Sequence, residues 1–446
     1  MAAGKHINLD SRSLGKHFAL VCASVGFLLL GFSRVFAAEL PQYDQQTHMG
    51  VATCANSSCH ASKVPADDSN VLQSEYLTWL FHDQHAKAFN TLRNAESKQI
   101  AAKLGIGDPA TASICLDCHA DNVPLELRGA EFHISDGVGC EACHGGAENW
   151  LAQHTVMPYD LSRNLADGMY PTAELGSRTR LCVSCHVGTE KKFATHQIMG
   201  AGHPRLGFEL DTFTQRQPPH HDVDEDYLAR KITDTAARRM MVGTAISAQA
   251  LADNLSGGLL NHPQGYPELG LFDCHACHHS LNDLRWRPRP STAELEPGSV
   301  RVNDGVFLVL AALVGAVDRA QERSLRQAVA SLHMASKSSL QEVRVAGARL
   351  KQEAVQIQLL AESQDFQQTD LLNMANQLIE LGASGELQDY VAAEHALMCL
   401  DSLQRQLDDQ PKLASLVDYA FQLLSDEDRY SERQLRKAMR DYRQRN

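Results

Sequence analysis

Four times in this chain, two cysteines separated by two residues are followed directly by histidine. These are Cys115/Cys118 before His119, Cys140/Cys143 before His144, Cys182/Cys185 before His186 and Cys274/Cys277 before His278. With 12 Cys and 21 His in 446 residues, composition alone would yield roughly 0.015 copies of such a pattern. A fifth pair, Cys54 and Cys59 before His60, is stretched to four intervening residues. A repeat this dense constrains the fold before any helix or strand does, because each triplet has to close around one common object.

That object is haem c. Two thioethers hold the porphyrin edge, and the adjacent imidazole reaches the iron from one face. Zinc knuckles do not require His after every pair, iron–sulfur ligation uses other spacings, and a disulfide framework would not repeat this pattern. Cys54/Cys59 precedes the other sites at a comparable interval and keeps Cys59-His60 intact, so a bulged loop can still deliver both sulfurs. The count expected is therefore five covalent haems, with His60, His119, His144, His186 and His278 as proximal ligands. Cys399 falls in a helical stretch and reads as a buried apolar thiol.

Sixteen histidines lie between His60 and His279, eleven more than the proximal set, while only His333 and His395 follow. That concentration is what bis-histidine ligation of most haems requires. His85 falls in Trp79–Phe89, read as one helix on which Trp79, Phe81 and Phe89 can cover a porphyrin; His82 stands three residues earlier, nearly on the same face. His154 follows Trp150 soon after the third motif. His203 sits in Ala201-Gly202-His203-Pro204, where Gly frees the backbone and Pro stops a helix. These three come first as distal ligands and His196 next, while His133, His221 and His262 complete the candidates. His275 and His279 flank their own motif and are cramped there.

The expected fold is mainly α, in three parts. Residues 1–37 read as a signal peptide: Lys5, Arg12 and Lys16 precede the apolar run Phe18–Phe32, and Val35 and Ala37 fit cleavage after Ala37 or Ala38. Fifteen apolar residues are short for a membrane span of about 20, and Cys22 leaves with the leader. Residues 38–299, rich in Gly, Pro, Cys and His, wrap short helices and long loops around stacked haems, which take the place of a side-chain core. Pro288, Pro290 and Pro297 mark a linker. Residues 300–446 form a helix bundle of four to six helices, with no proline before Pro411. In it Val306–Val317 suits a buried helix, and Leu371, Met374, Ala375, Leu378 and Ile379 stripe another that Gly382 ends. Ala393, Ala396, Leu400, Leu403 and Leu407 stripe a third, and Ser431 and Gln434 cap a basic last helix.

The stretch from Cys54 to about Arg287 resembles the cytochrome c-554 family of exported multihaem proteins. The resemblance rests on Asp83-Gln84-His85-Ala86-Lys87-Ala88-Phe89, Cys115-Leu-Asp-Cys118-His119-Ala120 and Asp136-Gly137-Val138-Gly139-Cys140-Glu-Ala-Cys143-His144-Gly145. Gly200-Ala-Gly-His203-Pro204-Arg205-Leu206, and Cys277-His278-His279 followed by Trp286-Arg287, extend it. It implies a tetrahaem electron carrier of the kind that serves hydroxylamine oxidoreductase, with haems in close pairs, mostly bis-histidine, one lacking a sixth protein ligand. It also gives His85 the role of serving a later haem and His154 that of the ligand just after the third motif. The chain departs from the family in its fifth haem site, its stretched first motif and its added C-terminal bundle.

Two functional readings follow. In the first, a periplasmic cytochrome passes electrons between redox proteins through five haems. In the second, one open-coordinate haem makes the chain an oxidoreductase acting on a small nitrogen or sulfur species. A formal net charge of −13, which grows more negative once the leader is removed, argues against nucleic acid as partner. No stable membrane span is expected in the mature chain, and the basic last helix offers a surface on which the bundle can dock a partner.

Overall fold

The computed structural model describes residues 38–66, 71–156, 158, 160–230, 234–261, 267–278, 289–296, 299 and 301–445, besides Met1. Residues 2–37, expected to be a leader, and His262, His279, Trp286 and Arg287 lie outside the described residues. The architecture is mainly helical, and among the described residues pairing of extended chain is limited to isolated bridges. No described helix is long and apolar enough to cross a membrane. Residues 40–446 form one compact unit.

Up to residue 216 the helices are short, from one turn to ten residues, and loops join them. Phe89, Leu92, Leu116 and Ala120 make a small apolar cluster of their own, while Leu175, Val183, Phe208 and Leu210 join the large core. The helix expected over Trp79–Phe89 is broken. It runs Glu75–His82 and stops at Asp83, whose carboxylate accepts the backbone N–H of His85 and opens a short 3₁₀ turn, Gln84–Lys87. A side-chain acceptor at that position outcompetes continuation of the helix. His82 is left exposed at the helix end, and Phe81 is exposed as well, whereas Trp79 and Phe89 are buried.

The large core begins earlier than the proline-rich linker. Helix α1 (Ala236–Ser256) packs among α2 (Gly305–Gly315), α3 (Arg319–Ser336), α4 (Leu340–Ser363), α5 (Gln368–Ser384) and α6 (Tyr390–Gln406), with α7 (Pro411–Leu423) and α8 (Glu432–Arg445) closing the far side. Its most extensive partner is α4. Seven described helices thus follow residue 300, more than the four to six expected. Several of these helices start at side-chain caps: Asp318 opens α3, Ser339 α4 and Asp389 α6, while Pro411 begins α7. Helix α2 is buried almost throughout, as its apolar run requires. Cys399 is wholly buried on α6.

Helix α5 continues through Gly382, which faces Met439 of α8, and ends at Gly385, whose φ of +93° is the left-handed conformation that closes a helix. Leu435 and Met439 bury one face of α8. Its Arg440 Nε donates to the Ala383 carbonyl at 2.8 Å, where the negative end of α5 favours a cation.

Candidate haem sites

Each cysteine pair sits on a local structure that suits closure around one group. Cys115/Cys118 lie on helix Ser113–His119 and Cys274/Cys277 on the single turn Cys274–Cys277; residues three apart share a helical face. Cys140 leads into the turn Glu141–His144. Cys182 lies near the end of helix Leu175–Val183, with Cys185 and His186 in the wider turn that follows. The stretched pair is folded back by Asn56: its carbonyl accepts from Cys59 N at 2.9 Å and its side chain from Ser58 N at 3.0 Å.

Motifs distant in sequence meet through their sulfurs. Cys140 lowers the Cys54 thiol below its usual range, and Cys185 raises that of Cys118. Cys143 feels Cys182 as its foremost charged neighbour, and burial pushes its thiol up to about 12. Lys192, itself buried, places Nζ 3.3 Å from Cys185 Sγ.

The histidines show the clearest order. Four motif imidazoles each face one imidazole from elsewhere, with ring centroids 6.2 Å apart for His60–His154, 6.3 Å for His119–His203, 6.2 Å for His186–His85 and 6.0 Å for His278–His196. Two metal–nitrogen bonds of about 2 Å, plus about 1.1 Å from each nitrogen to its ring centre, put two imidazoles on one metal roughly 6.2 Å apart. The spacing therefore fits one iron between the members of each pair. The ring planes differ, from 11° in His60–His154 to 87° in His119–His203.

The other ring nitrogen is occupied in five of these eight. Nδ1 of His60 lies 2.9 Å from Glu75 Oε2, that of His85 2.8 Å from Asp83 Oδ1, and that of His203 2.7 Å from the Pro204 carbonyl. His119 Nδ1 lies 3.1 Å from the Ala88 carbonyl, and His154 Nδ1 3.3 Å from that of Trp150. Such contacts orient a metal-binding imidazole and leave Nε2 for the metal. Hydrogen bonding to their carboxylates raises His60 and His85 above the usual histidine range, whereas burial lowers His119 and His186. His203 owes its position to Gly202, whose φ of +122° turns the chain out of helix His196–Ala201.

The remaining histidines are placed differently. His144 is deeply buried and its pKa is lowered to about 4, first by burial and then by the charges of His220 and His60. Among the described residues no imidazole ring faces it as in the four pairs. His220 Nε2 lies 3.5 Å from Asp83 Oδ2. His133 is exposed, and His221 stacks on Tyr227 with centroids 5.0 Å apart; neither lies opposite a motif imidazole. His275 meets Tyr430 edge-on.

Sequence reasoning passed over His48, which precedes the cluster and is completely buried. Its Nδ1 lies 2.8 Å from Asp121 Oδ2 and its Nε2 3.6 Å from Asp44 Oδ1. Burial alone would lower its pKa, but the two carboxylates override it and raise it to about 10. Asp44 four residues before His48 was the available signal. Glu141 was also missed. Inside the third motif it accepts from Met49 N and Gly50 N, both at 2.7 Å, and from Ala147 N at 2.8 Å, lashing the approach to the first motif onto the third.

Comparison with known proteins agrees with this geometry. Residues 53–145 match the family described as cytochrome c554 and c-prime. A C-type polyheme cytochrome of Geobacter sulfurreducens, OmcC, is 34% identical over 106 residues, covering 21% of this chain and 12% of the relative. The likeness thus spans a small part of that protein's length. No solved structure matches the chain. Through the matched segment, which holds the stretched pair and the motifs at His119 and His144, the chain is similar to the family described as cytochrome c554 and c-prime and to a C-type polyheme cytochrome.

Proposed function

We propose that the chain is a periplasmic electron carrier that relays electrons between redox proteins through five covalent haems. The observation that carries this reading is the four facing imidazole pairs at 6.0–6.3 Å. In it the ten motif cysteines anchor the haems, and His60, His119, His144, His186 and His278 are proximal ligands. His154, His203, His85 and His196 are distal ligands of the first, second, fourth and fifth motifs. Iron between two imidazoles changes oxidation state without making or breaking a bond, which is the chemistry a carrier needs. The polypeptide's part is to fix ring orientation through Glu75, Asp83 and the backbone carbonyls, and to keep Lys192 beside one anchoring sulfur. Export by the 1–37 leader, cut after Ala37 or Ala38, supports the periplasmic assignment.

The effects of thiols from different motifs on one another also support a spatial order unlike the sequence order. Cys54 with Cys140 sets the first haem beside the third, Cys143 with Cys182 the third beside the fourth, and Cys185 with Cys118 the fourth beside the second. The segment 196–203 carries the partners of both His278 and His119, so the fifth adjoins the second.

A second reading is favoured by His144. No imidazole ring among the described residues faces it, and an open position at its haem would let a small nitrogen or sulfur species bind. Two measurements on purified protein test both readings. The intact mass should be that of residues 38 or 39 to 446 plus five haems; four, with Cys54 and Cys59 alkylatable, removes the stretched site. In the oxidised protein's low-temperature EPR spectrum, five low-spin haems and no carbon monoxide binding on reduction support the carrier. One high-spin equivalent that binds carbon monoxide rapidly supports the enzyme.

A further inference from the structure

The fifth motif and its facing segment both hang on the C-terminal bundle. On the motif side, Asp273 accepts from His275 N at 2.9 Å and pairs with Arg301 Nη2 at 2.7 Å; Arg301 Nη1 then donates to Gln388 Oε1 at 3.0 Å. The backbone repeats the attachment, with Asp273 N donating to the Arg301 carbonyl and Asn303 N to that of Leu271, both at 2.9 Å. On the facing side, Arg205 Nη2 lies 2.9 Å from Glu394 Oε2 and Nε 3.5 Å from Glu427 Oε1, with the guanidinium 5.1 Å over the Tyr390 ring. Glu268 joins the two sides, accepting from His196 N at 2.6 Å and Gly270 N at 2.8 Å.

Both attachments converge on residues 386–394, which are themselves locked. Fully buried Arg289 reaches Asp304 through two contacts of 2.7 and 2.8 Å and Asp389 at 3.6 Å. Ser291 holds Glu386, and Tyr430 Oη donates to the Leu387 carbonyl at 2.6 Å. The groups of this buried ionic network depend on one another, so the loss of one is felt by the rest.

We infer that the bundle is the frame that sets the distance and angle between His278 and His196, with Asp273, Arg301 and Arg205 as positioning residues for the fifth haem. The inference rests on the ligand pairing proposed above and goes beyond it by giving the bundle a task in the redox centre.

The test uses the full-length, haem-loaded protein, with EPR and potentiometric titration as readouts. His196→Met serves as a marker, since it should move the signal and raise the potential of one haem, identifying the fifth. Asp273→Asn/Arg301→Gln removes both charges together and so strands neither; Arg205→Gln loosens the facing side. Asp273→Asn/Arg301→Gln is expected to change the g-values or spin state and the potential of the marked haem alone, and Arg205→Gln those of the marked haem and of the haem that His203 serves, leaving the remaining haems as in the parent protein. Arg301→Lys should restore part of the shift. If the marker moves one haem while Asp273→Asn/Arg301→Gln and Arg205→Gln leave that haem unchanged, the frame is wrong although the pairing stands. If His196→Met moves no haem, the pairing itself falls and the frame with it.

Discussion

Asp83 holds two histidines at once. One oxygen binds His85 Nδ1 at 2.8 Å and the other lies 3.5 Å from His220 Nε2. Burial alone would raise its pKa, yet the bonds from His220 and His85 hold it well below the usual carboxylate range. A carboxylate at Nδ1 makes an imidazole a stronger donor and favours the more oxidised metal. Asp83→Asn should therefore raise the potential of the haem between His85 and His186, by about 60 mV for a tenfold change in relative affinity for the two iron states, without loss of low-spin character. Five unchanged potentials in an optical redox titration would remove His85 as a ligand. His48 supports a prediction of the opposite kind, about stability. Its folded pKa, about 10, exceeds the ordinary 6.5, so the stabilisation from its charged form is complete below pH 6.5 or so and is lost as pH rises toward 10. At about 1.4 kcal/mol per pKa unit that loss is on the order of a few kcal/mol. Denaturation profiles of His48→Gln should show a flatter slope over that interval than the parent; identical slopes would mean that the imidazolium is not what titrates. Of the four histidines that lie opposite motif imidazoles, His85, His154 and His203 could be picked out from neighbouring Trp, Gly and Pro, because those residues act locally. His48 could not, because its partners, apart from Asp44, come from across the fold.

At the scale of elements, legibility followed the same division. The stripe of Leu371, Met374, Ala375, Leu378 and Ile379 does form the buried face of α5, since periodicity is a local property of the chain. The end of that helix was misplaced by three residues, because both Gly382 and Gly385 satisfy a composition rule and only packing separates them. Gly382 is a place where α8 comes close, whereas Gly385 carries the positive φ. Gly385→Ala should therefore cost about 1–2 kcal/mol through backbone strain, read as a lowered thermal midpoint of the bundle. Gly382→Ala adds no backbone strain and meets side-chain atoms alone, Met439 Cγ at 2.9 Å and Leu387 Cδ1 at 3.4 Å, which have to shift. A larger loss from Gly382→Ala than from Gly385→Ala would return the helix end to Gly382. Helix α1 went unread for another reason. Its buried residues include Ala237, Gly243, Ala245, Ala248 and Ala252, small side chains whose packing value appears only once α4 lies against them.

For the whole molecule, the contact of cysteines from different motifs matters more than their order in the chain. Haems attached in the sequence order one to five would run one, three, four, two, five, with the Cys182/Cys185 haem at the centre and the Cys54/Cys59 haem at an end. That order makes the two sites unequal in a way that kinetics can read. Replacing Cys54 and Cys59 by Ala removes a terminal haem and leaves four in unbroken contact, so rapid mixing with a small reductant should still reduce them in one connected phase. Replacing Cys182 and Cys185 by Ala, with His85 left in place, removes the link and leaves two pairs: the haems of the first and third motifs, and those of the second and fifth. Reduction should then split into two phases of about equal amplitude that no longer equilibrate internally. Fixing reading order from residues could not reach this far, because adjacency of Cys54 with Cys140 and Cys118 with Cys185 is set by turns such as that at Asn56 and by the lashing of Glu141 to Met49 and Gly50. If the variant lacking Cys182 and Cys185 still reduces in one phase while that lacking Cys54 and Cys59 splits into two, the fourth haem is not the link and the order has to be redrawn with the first haem at its centre.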